Sequence, residues 1–185
     1  MSDGLGSILF VCTGNVCRSP YLEWGLRGAL ESAGGPAIRL TSAGLAPLTG
    51  HPMSSPLLDR LLDRGIDASE FRARGLTEAM VTRADVVLTA ARGHRQFIVR
   101  QLPAAATRTF TVLQFARLLR VLPAREVADL PTLARLAHQA RGMAGASTEH
   151  DDLEDPWKRS RRVYARSARK MDEVLEGVLE HLILR

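Results

Sequence analysis

Ser7-Ile8-Leu9-Phe10-Val11 is a short apolar run, and it is followed without a break by Cys12-Thr13-Gly14-Asn15-Val16-Cys17-Arg18-Ser19-Pro20. No other feature constrains the fold so tightly. The run reads as a buried strand. The polar stretch after it reads as a loop, with Ser19 and Pro20 as the cap and first residue of a helix. A chain that passes from strand through a Gly-containing loop into a helix aims several backbone N–H groups at one point. That point lies at the positive end of the helix dipole, so an oxyanion binds there. Gly14 and Asn15 are the residue types that tolerate the left-handed backbone such a cradle needs.

The rest of the chain continues the alternation. Residues 37 to 43 and 107 to 110 read as strands, as does Asp85-Val86-Val87-Leu88-Thr89. Helices are predicted near 54–64, with Leu57, Leu58, Leu61 and Leu62 inward, and near 92–101 and 112–120. A last helix, about 158–183, carries Met171, Val174, Leu175, Val178 and Leu182 on one face. Strands alternating with helices predict an α/β domain with a parallel sheet, and 185 residues fit one domain. Between 123 and 150, Leu130, Leu133, Leu136, Ala137 and Ala140 fall at helical spacing, although Pro131 interrupts them. Residues 142 to 152 have the composition of an exposed loop.

Cys12 stands at the mouth of the loop. A cysteine nucleophile acts as thiolate, which a helix N-terminus, an amide nest and a guanidinium all favour. The Ser19 hydroxyl is placed either to bond the sulfur or to cap the helix. Arg18 closes the loop, where its planar fork can grip two phosphate oxygens. A carboxylic acid that protonates the departing oxygen would complete such a site. Asp151, Asp152, Glu154 and Asp155 form an acidic cluster, but composition does not choose among them; the cluster equally suits a solvated face.

Composition narrows the setting. The two cysteines, Cys12 and Cys17, make no disulfide framework and fit a reducing compartment. No apolar run approaches membrane-spanning length and no signal-peptide pattern opens the chain, so a cytoplasmic location is expected. The net charge is +5, and nearly all of it is arginine, since lysine occurs only at 158 and 170. Aromatic residues are 5% and no basic run is interleaved with them, which argues against nucleic acid. The histidines show no metal-ligand spacing, so neither metal nor cofactor is expected.

The loop Cys12–Pro20 resembles the active-site loop of the low-molecular-weight protein-tyrosine phosphatases. The similarity continues through Thr41-Ser42-Ala43-Gly44-Leu45, Gly65-Ile66-Asp67, Arg72-Ala73-Arg74, Ala84–Thr89 and Asp155-Pro156. It implies a four-stranded parallel sheet with helices on both faces, and a phosphotyrosine protein as substrate. By the same resemblance Cys12 is the nucleophile, Arg18 the phosphate clamp and Asp155 the general acid. Thr13, Gly14, Asn15, Val16, Cys17 and Ser19 line the phosphate. It also implies a reversible Cys12–Cys17 disulfide, while a packing role for Cys17 stays open. Relatives often carry tyrosine after Asp-Pro; here Trp157 and Lys158 follow, and Trp157 is either an aromatic wall of the pocket or core. The segment 123–150 is longer than the family's and is read as an added helix, lid or interface. Related chemistries are phosphoarginine hydrolysis, where relatives tend to have threonine at the position of Val16, and arsenate reduction, which needs further cysteines. A non-catalytic phosphopeptide-binding module would need neither thiolate nor acid.

Overall fold

The alternation of apolar side chains in the first strand sets up two cores. In a strand successive side chains point to opposite faces. In β1 (Gly6–Cys12) Ile8, Phe10 and Cys12 enter one cluster, and Leu9 and Val11 enter the other. The computed structural model describes residues 6–122, 129–143 and 151–183. In chain order its elements are β1, α1 (Arg18–Ser32), β2 (Ile38–Gly44), α2 (Ser55–Leu62), α3 (Glu78–Arg83) and β3 (Val86–Thr89). There follow α4 (Arg92–Gln101), β4 (Thr109–Thr111), α5 (Val112–Leu119), α6 (Leu130–Gln139) and α7 (Arg161–Ile183).

The four strands form one parallel sheet in the order β2-β1-β3-β4. The larger core joins the Ile8–Phe10–Cys12 face to α1, α2, α5, α6 and α7, and the smaller joins the Leu9–Val11 face to α3 and α4. Helices thus cover both faces, as buried parallel strands require. The chain leaves β1 first toward β2 and later returns to its other side as β3. The C-terminal end of β1 is therefore the point where the strand order reverses, and such crevices are where open α/β sheets bind ligands.

Several boundaries differ from the pattern-based expectation. α1 begins at Arg18 with Cys17 as its cap, so Ser19 does not cap it and Pro20 is its third residue. The last helix starts at 161 rather than 158, and Asp85 precedes its strand. Leu57 and Leu61 are buried, but Leu62 is exposed. Pro131 does not interrupt a helix. It sits in the first turn of α6, where its missing N–H costs nothing, and Asp129 caps that turn by accepting from Thr132 N at 2.7 Å. Leu130, Leu133, Ala134 and Ala137 bury this helix beside α5 and against β1 and β3. The described part of 123–150 thus contains a helix packed by one face on the core, while 123–128 and 144–150 lie outside the described residues. The short helix α3, capped by Thr77, was not expected. Among the described residues no helix is long and apolar enough to cross a membrane.

Candidate active site

Residues 12 to 18 turn at the C-terminal end of β1. Their carbonyls point outward and are taken up by the next segment of chain: Leu45 N donates to Cys12 O, Ala46 N to Thr13 O, Leu48 N to Gly14 O and Ser54 N to Val16 O, at 2.8–3.0 Å. The amides of residues 13 to 17 donate to no backbone carbonyl among the described residues. With the C=O groups facing out, the N–H groups line the inside of the turn, which is an anion cradle. Asn15 adopts the left-handed backbone (φ 55°), whereas Gly14 does not. The tight approach belongs instead to Gly44 at the end of β2. A Cβ there would meet Thr13 O at 2.5 Å and Asn15 N at 3.0 Å.

A chain of buried, hydrogen-bonded side chains runs from Glu23 to the sulfur. The Ser42 hydroxyl donates to Glu23 Oε2 at 2.7 Å. Asn15 Nδ2 donates to Ser42 Oγ and to Ser19 Oγ, both at 2.9 Å, while Asn15 Oδ1 accepts from Arg74 N. Ser19 Oγ, which accepts from Asn15, lies 3.0 Å from Cys12 Sγ and 3.4 Å from Ala43 O, so its O–H is shared between the sulfur and that carbonyl. Of the two roles open to Ser19 in the sequence, the structure places it on the sulfur. Cys12 is buried, at 2% exposure.

Opposite the sulfur, Arg18 is held by three bonds from its guanidinium: Nη1 donates to Leu153 O at 3.1 Å, and Nη2 to Asp155 Oδ2 at 2.5 Å and to Thr13 Oγ1 at 3.4 Å. Its Nε is buried with no partner among the described residues. Asp155 therefore stands at the clamp, 137 positions along the chain from Arg18, and its other oxygen accepts from Trp157 N at 3.1 Å. The rest of the acidic cluster is separated from it by use. Asp151 pairs with Arg117, Asp152 with Arg92 and Glu154 with Arg166. These pairs, together with Leu153 N donating to Ala90 O, strap the segment onto the ends of β3, α5 and α7.

Cys12, Thr13, Gly14, Val16, Cys17, Arg18, Ala46, Leu48, Asp155 and Trp157 surround one cleft of about 130 Å³. Trp157 is thus wall rather than core, with its ring half-exposed. Cys17 is a free thiol facing the Tyr164 hydroxyl at 3.9 Å, and burial pushes its pKa up to about 12. One histidine, His94, touches the phosphate loop, which its spacing in the sequence does not reveal. On the first turn of α4, its Nε2 meets Thr13 Oγ1 at 2.9 Å, and Nδ1 is buried with no partner among the described residues. Burial and then the Arg18 guanidinium push its pKa down to about 4, so it is neutral at pH 7. The signal lay in topology: His94 follows β3 as Cys12 follows β1, and the C-terminal ends of parallel strands share one edge. Among the described residues no three His, Cys, Asp or Glu side chains group as metal ligands.

An amide cradle at a strand-to-helix turn, holding a buried thiol across from a guanidinium and a carboxyl, defines a hydrolase of phosphate monoesters built on a parallel α/β sheet. The model of the low molecular weight phosphotyrosine protein phosphatases matches residues 7–131, and the chain belongs to that family. It is 38% identical over 104 residues, 56% of its length and 68% of the relative's, to a probable low molecular weight protein-tyrosine-phosphatase EpsP of Ralstonia nicotianae. It is 37% identical over 108 residues, 58% of its length and 70% of the relative's, to a protein-arginine-phosphatase of Geobacillus stearothermophilus. The crystal structure of a low molecular weight protein tyrosine phosphatase from T. tengcongensis superimposes with a TM-score of 0.72 at 29% identity, covering 95% of this chain and 98% of that one. The family model's match ends at residue 131, before Asp155, so the position of that residue rests on the geometry above.

Proposed function

We propose that the protein hydrolyses phosphotyrosine in phosphoproteins through a cysteinyl-phosphate intermediate. One observation supports this: Cys12, Thr13, Gly14, Val16 and Cys17 of the amide turn, Arg18 with its unsatisfied Nε, and Asp155 all line the same small cleft. A phosphoryl group in the cradle receives the amides on its equatorial oxygens, where charge spreads in the transition state. Arg18 Nε–H and Nη2–H form a fork for two of those oxygens, and taking them up releases Asp155 from the guanidinium.

The Cys12 thiolate attacks phosphorus in line; the S–P bond forms as the P–O bond to the phenol breaks, and Asp155 gives its proton to the leaving oxygen. Asp155, now ionised, takes a proton from water as that water cleaves the S–P bond and regenerates the thiolate. The Ser19 hydroxyl, 3.0 Å from the sulfur, can donate to the thiolate in both half-reactions. The phosphotyrosine reading is supported by the walls of the cleft. Val16, Ala46, Leu48 and the Trp157 ring are apolar, which suits an aromatic ring better than a guanidinium. Similarity to both tyrosine and arginine phosphatases does not separate the two substrates, but Val16 in place of threonine favours the ring. Arsenate reduction would need cysteines beyond the two present.

Turnover of p-nitrophenyl phosphate tests the reaction, and Cys12→Ser is expected to abolish it. Full activity in that variant would remove the nucleophile from the mechanism. Peptides carrying phosphotyrosine, phosphoserine or phosphoarginine then test the substrate class, with phosphotyrosine expected to show the highest kcat/KM.

A further inference from the structure

Charges near the ends of a helix normally oppose its dipole: carboxylates at the start, cations at the end. The 23-residue helix α7 departs from this at its start. Its first turn holds Arg161 and Arg162 and no acidic residue. Arg162, Arg166 and Arg169 continue along one stripe at i, i+4 and i+7, a spacing that brings like charges together. Arg60 of α2 faces the stripe, and the four guanidinium groups with Ala165 line a cleft of about 340 Å³.

Only part of this charge is used inside the fold. Arg60 is bonded to Asp172 and Arg166 to Glu154, while Arg162 and Arg169 are exposed and have no acceptor among the described residues. Such an arrangement repels itself and the helix start unless an anion from outside enters it. Planar guanidinium forks recognise carboxylates and phosphates. No aromatic side chain lines the cleft, so it lacks the stacking platform that single-stranded nucleic acid uses.

The cleft shares no lining residue with the catalytic one, but side-chain contacts link the two. Arg166, on its wall, holds Glu154, whose neighbour is Asp155. Tyr164 on the same helix bonds Ser54 at the head of α2 and faces Cys17 in the phosphate loop. The same two helices therefore brace the phosphate loop and wall the arginine cleft. From Arg162 to Arg169 the stripe rises about 10 Å, the length of roughly three extended residues.

We propose that this cleft binds an acidic segment of the phosphoprotein substrate, flanking the residue that is dephosphorylated. The inference rests on the phosphatase reading for the identity of its partner, and the test separates the two. The full chain is compared with an Arg162→Gln/Arg169→Gln variant, both positions being exposed and remote from the reacting atoms. Three substrates are used: p-nitrophenyl phosphate, a phosphotyrosine peptide with neutral flanks and one with glutamate-rich flanks. The wild type is expected to show a KM about tenfold lower for the acidic peptide than for the neutral one at low salt, with kcat alike. The variant loses that preference and hydrolyses p-nitrophenyl phosphate as before.

A second arm needs no turnover: fluorescence anisotropy of an unphosphorylated glutamate-rich peptide, which the wild type is expected to bind about tenfold more tightly than the variant does. This arm decides the cleft's role even if p-nitrophenyl phosphate is not hydrolysed, an outcome that would count against the phosphatase reading alone. Equal binding of the acidic peptide by wild type and variant overturns the proposal. So does an oligonucleotide that binds more tightly than the peptide and loses its affinity in the variant.

Discussion

The two halves of the catalytic cleft are made differently. The phosphate half is one unbroken stretch, Cys12 to Ser19, whose carbonyls are tied to residues 45–54 and whose side chains are wired through Asn15, Ser42 and Glu23. The acid half is a single side chain, 44% exposed, on a segment strapped down by ion pairs to Arg92, Arg117 and Arg166. The first half binds charge with backbone groups that cannot move without breaking the turn. The second half delivers a proton from a side chain that must leave Arg18 when phosphate arrives. Rigidity serves the part that stabilises a fixed charge distribution, and looser anchoring serves the part that changes partners during turnover.

That contrast can be broken by measurement. The largest effect is expected from Asp155→Ala. It should lower kcat on the order of 10²–10⁴ for phenyl phosphate, with a deficit that shrinks as the leaving group improves. A loss that stays constant across leaving groups would place Asp155 with the phosphate half. Gly44→Ala strikes the other half. Its methyl group would meet Thr13 O at 2.5 Å, so thermal unfolding should show about 1–3 kcal/mol of destabilisation, with an activity loss that does not vary with leaving group.

A smaller effect concerns pH. His94 has its pKa lowered from 6.5 to about 4 by burial and by Arg18, and it touches the phosphate loop through Thr13. A depressed pKa means that the unfolded chain takes up the proton first. The stabilisation from neutral His94 is therefore present above pH 6.5 and lost as pH falls through about 4. His94→Gln should flatten this part of the Tm-versus-pH curve, and an unchanged curve would show that His94 carries no such linkage. The smallest effect is expected from Arg92→Ala. Its pair with Asp152 is more than a third exposed on both sides, and exposed pairs contribute about 0–1 kcal/mol. Activity should change little unless this strap alone positions the acid, in which case the leaving-group dependence of Asp155→Ala would appear in weakened form.

Legibility in the sequence followed the same division. The phosphate loop could be read because everything it needs is contiguous: an apolar strand, a turn-tolerant loop and a helix start. The sheet and most helices could be read from periodicity, and all five inward residues of the last helix are buried. Asp155 could not be chosen over Asp151, Asp152 and Glu154 by composition, because its distinction is a contact made across 137 positions. Helix α3 was missed because only Val81 is buried in its six residues, too few to show a period. Pro131 was misjudged because a proline stops a helix in its interior and starts one in its first turn, and spacing alone does not say which.

Local order along the chain was enough to specify where an anion would sit, since strand, turn and helix follow one another, although residues 42–54 and Arg74 hold the turn in place. Which carboxylate, which histidine and which arginines share that neighbourhood was settled only when the parallel strands brought their C-terminal ends to a common edge. Side-chain partnerships across a sheet depend on register and packing, and no window of sequence contains both members.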